Sequence, residues 1–418
     1  MTDFFVQVVR IDNITKHENA DNLSIVNVFG GYPVIIKTGD FKVGDLGIFL
    51  SVDAIVPRTQ PRFAFLKSDR IKASRLRGVF SMGLLLPLDG VTDVDGEGRV
   101  VAGYINVEGG RWLVQEGHDV QELLGVTKHD PSAQREKVKG PTNGPVEMEP
   151  MDPRVPLYID LDNIRKYPKT FKEGDEVVIS EKLHGSCSTF AYIDGEFKVG
   201  SRNRMRRRPR GEPTHADWWH YYAQLAWWYV LSVLAQAAYF GSLKQYKGQL
   251  FRMKRPQHPH KIEACMWWKT AEKYNLEEKL GDAYLVRQAF DSTLAGFIVY
   301  GEVYGAGVQD LTYDAPDSVR FAAFDVKRVD KDGTSSWLNA THFDAFCDLY
   351  LIPKVPDLHR GPWKEELRAL ADGPTTLFVP ETKPHIREGI VIKSATEMGP
   401  NRRILKLVSQ AYLLRKDA

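Results

Sequence analysis

The chain has 418 residues, of which 43% are hydrophobic and 26% charged, with a formal net charge of +2. The length predicts two domains rather than one, and the composition excludes a disordered polymer. A nearly balanced charge excludes any nucleic-acid reading based on overall basicity, so local clusters must carry it. Three dispersed cysteines, Cys187, Cys265 and Cys347, suit neither a disulfide framework nor a zinc site and favour a reducing compartment. The opening MTDFFVQVVRIDNITKHENAD is charged too early for a secretory signal, so the expected location is cytoplasmic.

In chain order, FFVQVVRI, LSIVNVF, YPVIIKT, LGIFLSV and SMGLLLPL read as short strands separated by Gly, Asp and Pro. They predict a small β-barrel over residues 1–126. The stretch HENADNLSIVNVFGGYPVIIKTGDFKVGDLGIFL is similar to the oligonucleotide-binding (OB) barrel found beside some RNA-processing enzymes. RIKASRLRGVFSMGLLLPL (70–88) places four basic residues within eight positions, either an RNA-backbone surface or a solvated strand edge. Residues 127–156, rich in Pro, Gly and charge without an apolar period, read as a linker.

Residues 157–418 alternate strand-like apolar runs with helical stretches such as WWKTAEKYNLEEKL and KEELRALAD. The expected class is α+β, built on antiparallel sheet. An Arg/Trp-rich insertion occupies about 204–262. RNRMRRRPR (202–210) packs six arginines into nine residues, as nucleic-acid contact or as a solvated loop. WWHYYAQLAWWYVLSVLAQAAYFGSL (218–243) contains no Asp, Glu, Lys or Arg and has the length of a membrane span. Aromatic residues run right through it, however, and His220, Gln224 and Gln236 interrupt it. A buried or partner-facing helix is therefore expected, with no membrane contact.

Six short segments follow one another in order: EKLHGS (181–186), GSRN (200–203), VYGEVYG (299–305), FAAFDVK (321–327), REGIVIKS (387–394) and RRILKLVS (402–409). Each alone is weak. Their order resembles the covalent nucleotidyltransferase superfamily of ATP-dependent polynucleotide ligases and messenger-RNA capping enzymes. The resemblance is closest to RNA ligases of the RNA ligase 2 type, which carry Lys-x-His-Gly where DNA ligases and capping enzymes carry Lys-x-Asp-Gly. The N-terminal barrel, SRLRGVFSMGLLLPL and KLVSQAYLL look like the Deinococcus and Naegleria branch. The implied fold is an antiparallel-sheet nucleotidyltransferase domain preceded by an OB-like domain.

The resemblance implies a role for each matching residue. Lys182 would be the nucleophile that takes AMP from ATP, with His184 beside it. A lysine attacks only as the neutral amine, yet its ordinary pKa is about 10.4, so burial and neighbouring cations such as Lys393 and Lys406 are expected to lower it. Glu181 would accept a hydrogen bond from the adenine amino group, and Phe324 would stack on the purine. Arg202 and Glu302 would hold the ribose. Glu388 would anchor the water shell of Mg2+ (or Mn2+), while Lys393 and Lys406 neutralise the phosphates. Asp325 follows Phe324 in the family's Phe-Asp pair.

The expected activity is ATP-dependent RNA ligation through a lysyl-AMP and an RNA-adenylate, sealing 3′-hydroxyl and 5′-phosphate ends or nicks. RNA, or a nicked duplex containing it, is the expected partner, and the barrel would grip its backbone. Alternatives are a DNA ligase, a GTP-using capping enzyme, or a non-catalytic RNA-binding protein on the same fold. Two departures stand out. Ile404 occupies the first position of the family's Lys-x-Lys, where Arg403 is the nearest substitute, and Cys187 replaces an asparagine.

Overall fold

The computed structural model describes residues 4–129, 148–211, 214–238, 262, 264–380, 384–396 and 402–415, with backbone alone for residues 229 and 231–238. In the N-terminal part, Leu23–Val28 and Tyr32–Lys37 hide every second side chain, the period-two pattern of a sheet packed on one face. They pair antiparallel, with Thr15–Lys16 alongside, while Val6–Arg10, Leu46–Leu50 and Leu84–Pro87 form a second sheet. Leu46–Leu50 is buried along its whole length, which accounts for its unbroken apolar run. Gly90–Val94, Val100–Val107 and Gly110–Gln115 form a third. The predicted strands are all present; SMGLLLPL divides between Val79–Ser81 and Leu84–Pro87.

The outer ends of the stretch read as a linker are themselves paired. Thr127–Lys128 joins Ala54–Ile55, and Met148–Glu149 joins Met205–Arg206. The centre of that stretch, 130–147, the parts 212–213 and 239–261 of the expected insertion, and residue 263 beyond it lie outside the described residues.

Two sheets face each other in the C-terminal part. The larger runs Met148–Glu149, Met205–Arg206, Glu196–Ser201, Ser186–Ile193, Leu294–Gly305, Val319–Asp330 and Ser335–Trp337, antiparallel throughout. The smaller runs Asp162–Asn163, Ile404–Val408, Gly389–Ser394, Glu176–Lys182 and Asp357–Pro362, with one parallel pair at Asp162–Asn163. WWKTAEKYNLEEKL forms two helices, Met266–Lys273 and Leu276–Gln288, because Asn275 turns left-handed at φ +52°, a conformation asparagine tolerates better than most residues. With Ala340–Leu349 these helices cover the outer face of the larger sheet through Trp268, Leu280 and Phe346. KEELRALAD becomes the 3-10 helix Glu365–Ala371, whose Ala371 joins the apolar outer face of the smaller sheet. The remaining faces of both sheets enclose a cleft.

The aromatic part of the insertion forms the expected helix, and of its two expected placements, buried or partner-facing, the described side chains do not take the first. His215–Ala238 is a helix, and among the described residues no helix is long and apolar enough to cross a membrane. Its described side chains are not buried: Trp219, Tyr222 and Trp227 are all exposed. The arginine run is largely engaged within the protein. Arg207 pairs with Glu149, Arg208 with Glu277 and Arg210 with Asp217, and Arg206 stacks on Trp267. These contacts favour an anchoring role over a free basic patch.

The two parts of the chain share packed surface. Val408, Leu413 and Tyr412 enter the apolar cluster of Val26, Val34, Phe49 and Phe80. Backbone meets backbone at Gly31, where a Cβ would lie 2.1 Å from the carbonyl oxygen of Arg165. Arg70 is held by Asp53 at 2.7 Å, so of the basic stretch 70–88 it is a structural residue, whereas the exposed Arg75 and Arg77 lie at the hairpin Ser74–Leu76/Val79–Ser81. Because Leu413 is buried at this junction, Leu413→Ala is expected to destabilise the fold by about 2–3 kcal/mol, read as a lower urea midpoint.

Candidate active site

The nucleophile candidate sits where a strand ends at the cleft. Glu176–Lys182 pairs with Gly389–Ser394, which pairs with Ile404–Val408, placing Lys182 opposite Gly389 and Val391 opposite Lys406. Strand alternation then puts Lys182, Lys393 and Lys406 on one face of the smaller sheet. The cleft between the sheets is lined by these three lysines together with Glu181, Cys187, Arg202, Glu302 and Phe324. Gly185 is glycine for a packing reason: a Cβ there would lie 2.3 Å from the Val303 carbonyl oxygen and 2.9 Å from the Glu302 side chain.

Lys182 Nζ donates to Glu388 Oε1 at 2.7 Å. Burial opposes the charge on Lys182, but Glu388 and Glu302 outweigh it and hold the ammonium above its ordinary pKa. This corrects the expectation that Lys393 and Lys406 lower it, since the groups acting on Lys182 are mainly carboxylates. Burial also opposes the charge on Glu388, and Lys182 above all keeps it ionised, below the usual carboxylate value. Its other oxygen, Oε2, is buried without a hydrogen-bond partner, and His184 Nδ1 lies 3.8 Å away. An orphaned carboxylate oxygen on the partner of the cleft residue Lys182 fits a hydrated divalent cation, which keeps several waters and takes few protein ligands. No group of three or more His, Cys, Asp or Glu side chains that could hold a metal ion occurs among the described residues.

His184 is tied from several sides. Its backbone N–H donates to the Tyr313 hydroxyl, Nε2 lies 2.7 Å from Asp310 Oδ1, and Nδ1 lies 3.1 Å from the Tyr412 hydroxyl. Burial lowers its pKa to about 4, so the ring is neutral near pH 7. An Nε2–H donating to Asp310 leaves Nδ1 to accept from Tyr412. Asp310 also pairs with Arg415. None of these partners was expected, because they come from segments far along the chain.

Phe324 occupies a β-bulge. Tyr300 pairs with Asp325 and Gly301 with Ala323, leaving Phe324 as the extra residue, and such bulges re-aim side chains. Its ring meets Tyr158 edge-on at 4.8 Å and lines the cleft. Arg202 pairs with Asp160 on the cleft lip. Glu302 stands across from Cys187 in the paired strands; burial pushes the Glu302 carboxyl up to about 8 and the Cys187 thiol above its ordinary value.

Two expectations are redirected. The Glu181 carboxylate accepts from Thr375 Oγ1 at 2.6 Å and from the Thr376 N–H and Oγ1 at 2.9 and 2.7 Å, with Arg387 Nε at 3.5 Å. As the neighbour of Lys182 in a strand its side chain turns away from that lysine, and both its oxygens are engaged within the protein. The residue also lines the cleft, so reading an adenine amino group would require one of these bonds to be exchanged. Arg403, the nearest substitute for the absent lysine, instead turns to Asp175 at 2.6 Å. Arg402 takes the inward direction and reaches Asp325 Oδ1 at 2.8 Å. Asp325 also accepts from Tyr158 and lies 3.1 Å from Lys393 Nζ. Burial opposes the charge of Asp325, and Lys393 and Arg402 outweigh it; burial with Arg402 nearby lowers Lys393.

Glu302 generates a stability prediction. Folded, it holds its proton until about pH 8, whereas its unperturbed value is 4.5. Its contribution is therefore fully present below pH 4.5 and lost as pH rises through 8. Glu302→Gln cannot ionise, so its unfolding free energy relative to the parent chain is expected to improve between those pH values, measured by urea denaturation across the range.

A family model described as RNA ligase matches residues 175–408, and an OB-fold domain model matches residues 5–88. A variant of Naegleria gruberi RNA ligase solved with ATP and Mn shares a TM-score of 0.64 at 20% identity, covering 99% of each chain. Another variant with AMP and Mn gives 0.61 at 20% identity, over 99% of this chain and 98% of that one. The structure with PPi gives 0.61 at 20%, over 98% and 97%. At these identities the likeness establishes the fold, an OB domain followed by a nucleotidyltransferase domain. The phenylalanine–tRNA ligase beta subunit of Leptospira interrogans is 39% identical over 84 residues, 19% of this chain, and the chain spans 9% of that curated relative's length. The RNA ligase match spans more than half of the residues and contains all the cleft lysines together with Glu302 and Glu388: the chain belongs to the RNA ligase family.

Proposed function

We propose that this chain is an ATP-dependent ligase that joins RNA ends through an adenylylated Lys182. The observation that carries the reading is the contact of Lys182 with Glu388 at 2.7 Å beside Lys393, Lys406 and Phe324 in one cleft. Lys182 Nζ would attack the α-phosphorus of ATP, forming an N–P bond as the bond to pyrophosphate breaks. AMP would then pass to an RNA 5′-phosphate, and a 3′-hydroxyl would displace it. The ATP and Mn present in the Naegleria gruberi ligase structures support the same nucleotide and a divalent cation here. Glu388, through its unpartnered Oε2, is the residue to hold Mg2+ or Mn2+ through water; when bound, the ion supplies positive charge at the phosphate oxygens.

The chain's own groups divide the remaining work. Lys393 and Lys406 face the cleft and are suited to stabilise charge moving to the leaving group. Phe324, aimed by its bulge, offers a flat apolar surface to the purine without selecting the base. Arg202 must exchange Asp160 for the nucleotide, while Glu302, protonated near neutral pH, can donate to a ribose hydroxyl. His184 is held neutral with a fixed ring orientation, suited to positioning the loop after the nucleophile. The OB domain, assigned to about residues 1–126, would hold the RNA backbone, with Arg75 and Arg77 on its exposed hairpin.

Incubation with Mg2+ and ATP is expected to add one AMP by intact mass, while GTP adds nothing. Lys182→Ala should abolish the adduct; an adduct that survives it overturns the assignment, and absence of any adduct overturns the enzyme reading. In sealing assays, Arg75→Ala combined with Arg77→Ala is expected to slow joining while leaving the rate of adduct formation close to that of the parent chain. Equal loss of both would sink the proposed division between the two domains.

A further inference from the structure

A cation is missing where the family pattern places one, and Ile404 is buried in its stead. Strand alternation shows where a replacement could come from. Residues 402, 404 and 406 fall on the same side of the chain, whereas Arg403 falls on the other. Arg403 pairs with Asp175, and its side chain is 40% exposed. The Arg402 side chain is 6% exposed, its Nη1 lies 2.8 Å from Asp325 Oδ1, and its guanidinium lies 4.9 Å from the Trp337 ring centroid. Trp337 is fully buried and fixes the approach of the arginine.

Asp325 is the point at which these groups meet. Its Oδ1 faces both Arg402, at 2.8 Å, and Lys393 Nζ, at 3.1 Å, while its Oδ2 accepts from the Tyr158 hydroxyl at 2.5 Å. The Asp325 side chain is only 3% exposed, so solvent screens these charges weakly. One carboxylate therefore serves two cations. With Lys393 alone, Asp325 would form a closed one-to-one pair, and the charge offered to the cleft would largely cancel. With Arg402 sharing the carboxylate, less of the Asp325 charge falls on Lys393, which is a wall residue of the cleft.

Resting on the ligase reading above, we infer that Arg402 is a positioning residue standing in for the absent lysine. It acts through Asp325, by drawing that carboxylate's charge away from Lys393 so that Lys393 can engage the nucleotide's phosphates. The inference accounts for an arginine rather than a lysine at this place. A planar guanidinium can stack on Trp337 while donating to Asp325, which a point-charge ammonium does less well.

The test measures the rate of AMP adduct formation by the full-length chain over a range of ATP concentrations. Arg402→Met should lower the saturating rate roughly tenfold or more, with a smaller change in the ATP concentration giving half-maximal rate. Arg402→Lys should recover part of that rate. The decisive arm is Asp325→Asn in the Arg402→Met background. Removing the carboxylate that would trap Lys393 should raise the rate above that of Arg402→Met alone, a sign opposite to additive damage. Thermal melting of each variant reports whether it folds, and the rescue arm reads the mechanism even where Arg402→Met melts lower. An Arg402→Met chain at the parent rate, or a double variant no faster than Arg402→Met, overturns the inference. Failure of the parent chain itself to form an adduct overturns the ligase reading instead.

Discussion

A lysine ammonium and a glutamate carboxylate, 206 residues apart in sequence, meet in the cleft, and most of the site's order follows from that meeting. Taking two charges out of water is costly unless each finds the other. The pairing of Glu176–Lys182 with Gly389–Ser394 is what makes the encounter geometric rather than fortuitous. Gly389 permits it: a Cβ there would lie 2.1 Å from the Leu407 carbonyl oxygen, so a larger residue would push apart the strands that bring Glu388 to Lys182. The same contact sets a chemical condition. While Glu388 holds it, Lys182 keeps its proton, and nucleophilic attack requires the neutral amine. The contact that satisfies the two buried charges is thus also the one that keeps Lys182 protonated.

Around this pair the two sheets divide the work. The smaller sheet supplies Lys182, Lys393 and Lys406 from strands whose opposite faces are packed with Ile179, Ile390, Leu405 and Leu407. The larger sheet supplies Glu302, Cys187 and Phe324 while its outer face is covered by helices. Beside these groups the same inner face carries the apolar cluster of Ile193, Ile298, Tyr300 and Trp337, against which Phe324 and Tyr158 pack. The segment from Met151 to Leu161 passes from the edge of one sheet to the edge of the other, and Tyr158 secures it to Asp325.

Much of this was legible in the sequence. Apolar runs punctuated by Gly, Asp and Pro marked the N-terminal strands, and the ordered motifs pointed to Lys182, Glu302, Lys393 and Lys406, which line one cleft. Other features depended on applying alternation to single residues. The neighbour of Lys182 must turn to the other face, which sends Glu181 to Thr375 and Thr376, and the same rule favours Arg402 over Arg403. The pKa of Lys182 was not legible at all. It depends on which carboxylates the sheet pairing brings close, and local sequence shows neither Glu388 nor Glu302 beside it. The ring partners of His184 were equally hidden, since Asp310 and Tyr412 lie 126 and 228 residues away. The aromatic segment left two placements open, buried or partner-facing. Apolar composition predicts burial only when a surface exists to receive it, and the described part of that helix leaves Trp219 and Trp227 exposed.

The contact at Gly31 has a consequence for how the two domains are set. Where side chains mediate a junction, rotamer changes can absorb an error; where peptide backbone touches peptide backbone, they cannot. The relative angle of barrel and catalytic domain is therefore gauged at residue 31 by the absence of one carbon atom. Any larger residue there would act as a shim, tilting the barrel away from Arg165 and loosening the apolar seat of Leu413. Through Tyr412, in the same short helix as Leu413, that tilt would reach the His184 ring. The smallest side chain in the barrel thus calibrates the distance between the part that would hold the nucleic acid and the part that would activate it.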